Sequence, residues 1–285
     1  MKINSIWFSF KSLAKFVDDF FYGQYVFVLR MCGVVDYPVP PRSGMRKTSS
    51  RSFRHFYESG IRSALPIAYA VVQKKGSFEG FDVLDFGCGV GRQLLHLTSD
   101  YPNNRYFACD VDRYSIDYIR KTYSCVDAVV NKFSPPLPFG EASFDVIYSV
   151  SIFSHLNPRD QSVWLRELAR ILRPGGLALL TVEGAVALAG DLSESFGIDR
   201  LQLQKKLNDD GILYKEYEER VYTKASGVLE RFALGLGIQG SYGNTVVSRG
   251  FVEENWQKYE LSLLGYVPGI IDGRQDLIVL ERLLS

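Results

Sequence analysis

The stretch F-D-V-L-D-F-G-C-G-V-G-R, from Phe81 to Arg92, decides the fold. Its first half is a short apolar run typical of a buried strand, and three glycines then follow at every second position before apolar residues resume. This order predicts a strand, a tight turn and a helix. Glycine lacks a Cβ atom, so it permits positive φ in the turn and lets a ligand approach the main chain. The stretch therefore predicts a ligand-binding loop.

The spacing of these glycines bears on the kind of ligand. A dinucleotide fingerprint reads G-x-G-x-x-G, whereas Gly87, Gly89 and Gly91 form G-x-G-x-G. Asp85 stands two residues before the first glycine, and a carboxylate there repels a pyrophosphate but attracts an ammonium or sulfonium group. D-F-G-C-G-V-G-R resembles the first motif of the class I S-adenosylmethionine-dependent methyltransferases. The resemblance implies that S-adenosylmethionine is the cofactor and that these four residues hold it.

The size and charge of the chain limit its class. At 285 residues it has room for a core of about 200 residues with an added arm or lid. The 33 Lys and Arg nearly balance the 32 Asp and Glu, so no broad basic field for nucleic acid is expected. The cysteines lack C-x-x-C pairing, which argues against a zinc site or a disulfide framework: Cys32, Cys88, Cys109 and Cys125. We expect a reduced, cytoplasmic compartment and no bound metal.

The beginning of the chain reads as a helical arm. Five apolar residues recur at steps of three and four, and so form one stripe on a helix. They are Ile6, Phe10, Leu13, Val17 and Phe20. The stripe packs either on its own protein or on a twin subunit in a homodimer; alternatively, residues 6–29 make peripheral contact with a membrane surface. No segment approaches the roughly 20 uninterrupted apolar residues that a membrane helix needs. The prolines of Tyr37–Pro41 end the regular structure of the arm.

A second strand is predicted at R-Y-F-A-C-D, Arg105–Asp110. Its last residue, Asp110, lies 19 residues beyond the last glycine of the loop, where a parallel neighbouring strand delivers it to the same edge of the sheet. A carboxylate there can accept both hydroxyls of a ribose. Alternatively, it caps the helix Tyr114–Thr122, in competition with Asp112 or Ser115. Both roles are compatible.

The next predicted strand, V-D-A-V-V-N, ends at Asn131 and is expected to border the adenine. The Asn131 amide can hydrogen-bond the ring edge, with Lys132 and Ser134 equally well placed. In the methyltransferase pattern, the acid that ends the second strand binds the adenosine ribose. C-D-V-D resembles that pattern closely, which adds Val111 to the expected cofactor-binding residues. Ser149, at the end of the fourth strand, completes the set.

A second specific stretch, Pro135–Leu156, supplies the fourth strand. Its prolines force a loop, Phe144–Tyr148 form the strand, and Ser149–Ser151 follow at the carboxyl end, where ligands bind in such sheets. A helix over Gln161–Leu172 is expected next. It leads into the segment L-R-P-G-G-L-A-L-L-T-V.

The P-G-G turn at 174–176 is predicted to end that helix and to start a fifth buried strand, Leu177–Val182. The whole of Phe81–Glu183 resembles the class I methyltransferase core. S-I-F-S-H-L with W-L-x-E-L-A-R-I-L-R-P-G-G is similar to bacterial enzymes that modify small molecules and glycans. The resemblance implies an α/β fold: a Rossmann-like, doubly wound, mostly parallel seven-stranded sheet with helices on both faces and an antiparallel C-terminal hairpin.

The pattern changes at about 184–250, which is predicted to be a cap inserted between the fifth and sixth strands. It holds an amphipathic helix around Ile198–Leu207. Its tyrosines either stack on a sugar or aromatic ring or pack inside the cap. They are Tyr214, Tyr217, Tyr222 and Tyr242.

A helix, Glu253–Leu263, and two closing strands, Gly265–Ile271 and Asp276–Leu283, are expected after the cap. The closing pair resembles the antiparallel hairpin that ends the methyltransferase sheet. The predicted organisation is thus an N-terminal helical arm and linker at 1–60 and a methyltransferase domain with a cap insertion at 61–285.

The expected reaction is an in-line displacement that needs an aligned nucleophile and, for a hydroxyl or amine acceptor, a base. His155, just past the fourth strand, is the catalytic candidate because imidazole titrates near neutrality. It can instead cap or pack the following loop, or fix cofactor geometry. His55 and His96 are less suitably placed. S-V-S-I stands where N-methyltransferases carry N-P-P-Y or D-P-P-Y, which favours an oxygen acceptor, or a carbon one, over an amide or exocyclic base nitrogen.

The expected acceptor is a small molecule or a saccharide, including a lipid-linked glycan. Two other classes compete with this interpretation. One is a catalytically inactive nucleotide-binding scaffold or regulatory protein. The other is an NAD-dependent oxidoreductase, which the glycine spacing and the P-G-G turn disfavour.

Overall fold

The computed structural model describes residues 20–22, 24–33, 37–47, 52–189, 192–217 and 242–284. The strands are β1 (Asp82–Phe86), β2 (Arg105–Asp110), β3 (Val126–Val130), β4 (Phe144–Ser149), β5 (Leu172–Glu183), β6 (Ile212–Glu216), β7 (Gly243–Val247), β8 (Leu261–Ile271) and β9 (Gln275–Arg282). The helices are α1 (Arg42–Lys47), α2 (Phe53–Lys75), α3 (Leu94–Asp100), α4 (Arg113–Thr122), α5 (Pro158–Ile171), α6 (Leu192–Phe196), α7 (Arg200–Asp210) and α8 (Arg249–Asn255).

The strands form one sheet in the order β3-β2-β1-β4-β5-β9-β8. β1 pairs in parallel with both β2 and β4, and β9 is antiparallel to both of its neighbours, β5 and β8. The predicted mostly parallel sheet with an antiparallel C-terminal hairpin is thereby confirmed. It is wider than predicted, because the insertion adds β7 beside the end of β5 and β6 beside β7, which makes nine strands in the described ranges instead of seven.

Alternation along the strands divides the core between the two faces of the sheet. In β1, Val83 packs with apolar residues of α2, α3 and α4, while Leu84 packs with α5 and β9. All five residues of β1 are buried, as expected for a central parallel strand with helices on both faces. Each fully buried aliphatic side chain contributes about 1.5–3 kcal/mol. The carboxyl edge of β1 is thus held rigidly in place.

The helices that flank the sheet begin at side-chain caps. Ser52 accepts a hydrogen bond from His55 N and starts α2, while Asn157 accepts from Asp160 N and starts α5. α5 begins at Pro158, three residues before the start that the sequence indicated. Caps of this kind override the periodic pattern because they satisfy the first N–H groups of the helix.

Two boundaries predicted from the sequence are wrong. The P-G-G at 174–176 lies inside β5, where the pairing with β4 jumps from Phe144↔Leu172 to Val146↔Leu177, so the glycines form a bulge in the strand. The helix predicted at Glu253–Leu263 is interrupted, because α8 ends at Asn255 and residues 261–263 pair with β9. Sheet pairing outweighs helix propensity there.

The insertion and the arm are described in part. The insertion has a small core of its own, in which Leu203 and Leu207 of α7 pack on Val246 of β7. Of the predicted apolar stripe in the arm, only Phe20 is described, and it is exposed; Tyr222 of the cap also lies outside the described residues. α2 runs unbroken across position 60, so the division at 60/61 remains a prediction. None of the helices in the described ranges is long and apolar enough to span a bilayer.

Replacing Gly87 with alanine is expected to lower the free energy of unfolding by about 2–5 kcal/mol. Gly87 has a φ of +80°, and a Cβ atom would overlap Ile152 Cδ1. Gly76→Ala is the matched control, because its φ is +81° but its Cβ would meet no heavy atom within 4 Å. That variant keeps only the backbone strain of about 1–2 kcal/mol. Urea unfolding measures both; equal losses would contradict the steric argument.

Candidate active site

A cavity of about 410 Å³ opens at the carboxyl edge of the sheet. Gly87, Gly89 and Asp110 line one side of it, and His155 and Tyr242 line another. Clefts of about 300–1,000 Å³ that combine apolar walls with a few polar groups are typical binding sites for small molecules. The carboxyl edge is also where ligands bind in doubly wound sheets. The cavity is therefore the candidate active site.

The glycine loop is shaped by Asp110. Gly87, Gly89 and Gly91 have φ values of +80°, +51° and +78°. The carboxylate of Asp110 accepts a hydrogen bond from Gly89 N at 2.8 Å through Oδ2 and one from Asp112 N at 2.8 Å through Oδ1. Asp110 thus joins the loops after β1 and β2 at the edge of the cavity.

Asp110 and Asp112 both lie just before α4. Asp112 is the N-cap, and its side chain accepts from both the backbone N–H and the hydroxyl of Ser115. Asp110 therefore does not cap this helix, although it supports the loop that leads into it. Its place on the cavity wall suits a ligand contact.

Six of the nine predicted site residues line the cavity. They are Gly87, Gly89, Asp110, Val111, Asn131 and His155. Asn131 Nδ2 donates to Lys132 O at 2.7 Å, while its buried Oδ1 meets no hydrogen-bond donor within the described part of the chain. A buried acceptor without a donor indicates a site that a ligand completes.

The other three predicted residues lie behind the wall. Ser149 is fully buried, and its hydroxyl donates to Phe86 O at 2.8 Å, which ties β4 to β1. Gly91 faces α4, because a Cβ there would lie 2.7 Å from Ile119 Cδ1. Asp85 is 2% exposed. Gly91 and Ser149 thus make contacts within the protein, and their predicted contact with the cofactor remains a prediction.

The carboxyl of Asp85 is in an unusual environment. Burial, and secondly the negative charge of Asp110, raise the pKa of Asp85 to about 8. Its Oδ2 has no hydrogen bond of ordinary geometry to any described residue, and neither has the hydroxyl of Tyr148. Arg92, which lines the cavity nearby, has a pKa lowered by burial. Asp85 can therefore be charged only at a cost, unless a cation approaches.

His155 belongs to a cluster of aromatic side chains on the cavity wall, where the insertion meets the core. Its ring stacks on Tyr242, with centroids 5.1 Å apart, and Tyr242 meets Phe133 edge to face at 6.2 Å. Nδ1 of His155 lies 2.9 Å from Gly243 O and 2.9 Å from the hydroxyl of Tyr217. Burial lowers the pKa of His155 below its ordinary value of 6.5. The ring is therefore neutral at pH 7.

His96 has a different environment. It is buried between α3 and α2, with Nε2 lying 3.1 Å from Tyr57 O and its ring edge-on to that of Tyr57. It does not line the cavity. These contacts give His96 a structural role, in agreement with its less suitable placement as a base.

Several cavity residues carried no recognisable signal in the sequence. Ser59 and Ser63 reach the cavity from α2, and Gln93 donates to Ser63 Oγ at 2.8 Å. Glu183, at the end of β5, pairs with Arg274 at 2.8 Å across the opening. Position at a strand end could have suggested Glu183, as it did Asp110. Nothing local distinguishes the serines of α2.

The comparisons with known proteins agree with this geometry. Residues 83–176 match the model of a methyltransferase domain family. A fatty-acid O-methyltransferase of Mycolicibacterium smegmatis is 33% identical over 114 residues, which are 40% of this chain and 41% of that protein. A tRNA N(3)-methylcytidine methyltransferase of Drosophila melanogaster is 30% identical over 149 residues, 48% of this chain and 43% of that protein. The chain thus spans less than half the length of these relatives.

A solved structure shows the same fold. It is the complex between the Haloferax volcanii Trm112 methyltransferase activator and the putative methyltransferase. The match has a TM-score of 0.51 at 16% identity and covers 85% of this chain and 95% of that one. The family match extends from β1 through the glycine loop and Asp110 to the P-G-G bulge. Residues 83–176 therefore match a methyltransferase domain family, and the described sheet has the fold of a solved methyltransferase.

Proposed function

We propose that this protein transfers the methyl group of S-adenosylmethionine to an oxygen atom of a small-molecule or saccharide acceptor. The observation that carries the proposal is the position of His155. A neutral imidazole lines the same cavity as the glycine loop and Asp110. A hydroxyl acceptor must lose its proton and therefore needs a general base near the bound methyl donor. An acceptor that is already ionised needs no base.

The residues of the cavity fit the donor. Asp110 offers a carboxylate at the end of β2, suited to ribose hydroxyls, and Asn131 offers an acceptor atom that lacks a donor within the described residues. Gly87 and Gly89 leave the loop without side chains beside the cavity. These four residues, with Val111, are assigned to donor binding. Asp85 lies behind the wall, where a bound cationic donor would favour its ionised carboxylate.

The mechanism follows from these positions. Bound S-adenosylmethionine supplies a methyl group whose carbon is a reactive electrophile, because it is attached to a positively charged sulfur. Nε2 of His155 takes the proton of the acceptor hydroxyl as its oxygen attacks. The aromatic rings of Tyr242 and Phe133 exclude water from the reacting atoms and offer flat surfaces to the acceptor. Alignment and a dry site supply the remaining acceleration.

The acceptor class rests on several observations. One relative is named as an O-methyltransferase and another as a tRNA methyltransferase. The near balance of 33 basic against 32 acidic residues favours an acceptor other than RNA. The aromatic wall beside His155 suits a sugar or another apolar face, which includes a lipid-linked saccharide.

The test combines binding with transfer. Isothermal titration is expected to show micromolar affinity for S-adenosylmethionine and none for NAD. Incubation with methyl-labelled donor is then expected to label a component of a small-molecule or cell-envelope glycan fraction, with bulk tRNA as a separate arm. Affinity for NAD alone would indicate an oxidoreductase. Donor binding without any labelled product would indicate the inactive scaffold.

Replacing Asp110 with asparagine is expected to weaken donor binding about 10- to 100-fold, because charge-assisted hydrogen bonds contribute about 1.5–3 kcal/mol. Asparagine keeps the size of the side chain and one acceptor oxygen for the loop. Asp127→Asn is the matched control, since Asp127 is exposed on the neighbouring strand and does not line the cavity. Titration calorimetry measures both. Equal affinity of the Asp110 variant and the wild type would remove Asp110 from the donor site.

A further inference from the structure

The insertion holds His155 through a chain of polar contacts. Nδ1 of His155 lies 2.9 Å from Gly243 O in β7 and 2.9 Å from the hydroxyl of Tyr217, just after β6. The same hydroxyl lies 3.1 Å from Oδ1 of Asn244. Gly243 N donates back to His155 O at 2.9 Å. The imidazole is therefore fixed to the insertion on one side only.

The direction of each bond can be worked out. A carbonyl oxygen only accepts, so the contact with Gly243 O requires a proton on Nδ1 of His155. The hydroxyl oxygen of Tyr217 must then accept a share of this same proton. Its own proton is directed to the Asn244 oxygen. In the neutral ring, Nε2 is consequently the nitrogen with a lone pair, and it has no hydrogen-bond partner in the described ranges.

We propose that the insertion completes the catalytic centre, with Tyr217 and Asn244 as positioning residues that keep His155 in the tautomer whose Nε2 accepts a proton. The proposal rests on the proposed function. It assigns to the insertion a role in the chemistry of transfer as well as in acceptor binding. The core domain alone provides the histidine but not its orientation.

The proton and the electrons balance as follows. The acceptor oxygen forms a bond to the methyl carbon as the sulfur–methyl bond breaks, and the electron pair stays on sulfur, which becomes neutral. The hydroxyl proton moves to Nε2 of His155. The resulting imidazolium donates from Nδ1 to Gly243 O and Tyr217, then releases its proton to solvent. Support of a histidine at the nitrogen remote from the reacting atoms is an established device in acyl transfer.

Among the residues that the structure describes, two charged groups act on His155. Glu183, at the end of β5, favours the imidazolium, and Arg274, from the turn between β8 and β9, opposes it. These two form an ion pair, so their effects largely offset each other. From the insertion, Tyr217 presents its hydroxyl and Tyr242 stacks on the ring. The hydroxyl of Tyr217 and the carbonyl of Gly243 are therefore the main local groups that stabilise the charged ring.

The first test reads the tautomer directly. The chain has three histidines, so ¹⁵N-histidine labelling of the whole chain gives three pairs of ring-nitrogen signals, assigned with His55→Asn and His96→Asn. The ¹⁵N shifts of His155 above its pKa are expected to show a protonated Nδ1 and an unprotonated Nε2. The opposite tautomer would overturn the proposal. This measurement uses the wild type, so it does not depend on the folding of any variant at the site.

The second test removes one hydroxyl. Tyr217→Phe is expected to lower the pKa of His155 by about one further unit, because a hydrogen bond to the charged ring is lost. Tyr214→Phe, the same change on β6, is the control and should leave that pKa unchanged. An equal pKa in the Tyr217 variant and the wild type would exclude Tyr217 as a positioning residue. Neither the ¹⁵N shifts nor the pKa measurement requires S-adenosylmethionine or a methyl acceptor. A negative result in these tests is therefore distinguishable from an absence of methyl transfer.

Discussion

Replacing His155 with asparagine is expected to lower kcat by about 10²–10⁴-fold while leaving the affinity for S-adenosylmethionine unchanged. Asparagine can place an N–H near the position of Nδ1 and so keep the bond to Gly243 O, which is 2.9 Å long in the wild type. It has no proton acceptor at the position of Nε2. The variant therefore removes the base and keeps the packing. Initial rates with the acceptor identified by label transfer measure kcat, and calorimetry measures donor affinity.

The matched control is His55→Asn, because His55 is exposed and does not line the cavity. Its rate should equal that of the wild type. A full rate in the His155 variant would show that alignment alone drives transfer, as with an acceptor that is already ionised. The base role of His155 would then be lost, although donor binding would be unaffected.

The pH dependence of the rate tests the role of His155 as a base independently of the variant's rate at one pH. A base works only when unprotonated, and burial lowers the pKa of His155 below 6.5. At saturating S-adenosylmethionine, the wild-type kcat/KM for the acceptor is thus expected to be flat around pH 7 and to fall in more acidic solution, below pH 6.5. His155→Asn should lose this acid limb, since no imidazole remains to titrate. An unchanged limb would assign it to another group.

Much of the fold could be read from local chemistry. The glycine loop, the strand that ends in Asp110 and the closing hairpin all follow from short patterns whose cause lies within a few residues. The wrong predictions concern segments whose secondary structure depends on pairing with a strand that is distant in sequence. Leu261 belongs to β8 and not to a helix, because Leu261 pairs with Arg282 of β9. The P-G-G stretch is a bulge within β5, because β4 pairs with residues on both sides of this stretch. Pairing of this kind is not visible in a local pattern.

The site divides in the same way. Asp110 and His155 could be named because strand ends converge at one edge of a parallel sheet. Ser149 lies at such an end but faces inward, because the alternation of the strand points its hydroxyl to Phe86 O. The partner of His155, Gly243, is 88 residues away, across the insertion. For Tyr217 the sequence left open stacking on a ligand or packing inside the cap, and its hydrogen bond to His155 had no local signal.

Replacing Asp85 with asparagine is expected to make the protein more stable in mildly alkaline solution. Burial and the charge of Asp110 raise the pKa of Asp85 from 3.8 to about 8. The unfolded chain ionises this group near pH 4, whereas the folded protein keeps it protonated up to about pH 8. The stability of the protonated form is therefore lost as pH rises through this window, by an amount on the order of 5 kcal/mol. Asparagine has no charge to bury and avoids this loss.

Urea unfolding of both proteins between pH 5 and 9 measures the effect, because the two proteins differ only at residue 85. The difference in free energy of unfolding should grow by at most about 1.4 kcal/mol per pH unit and level off near pH 8. Asp127→Asn, which replaces an exposed carboxylate on β3, is the control for the loss of a carboxylate. A difference that does not change with pH in the Asp85 variant would mean that Asp85 is not protonated in the folded protein.

The Asp85→Asn variant also tests whether Asp85, which destabilises the protein at alkaline pH, has a role in donor binding. A donor with a cationic centre near Asp85 favours the ionised carboxylate, so donor binding and deprotonation are linked. The dissociation constant for S-adenosylmethionine is then expected to fall as pH rises from 6 to 8 in the wild type and to stay level in Asp85→Asn. Parallel curves for the two proteins would place the donor's charge away from residue 85, and the acid would be left without a role in binding.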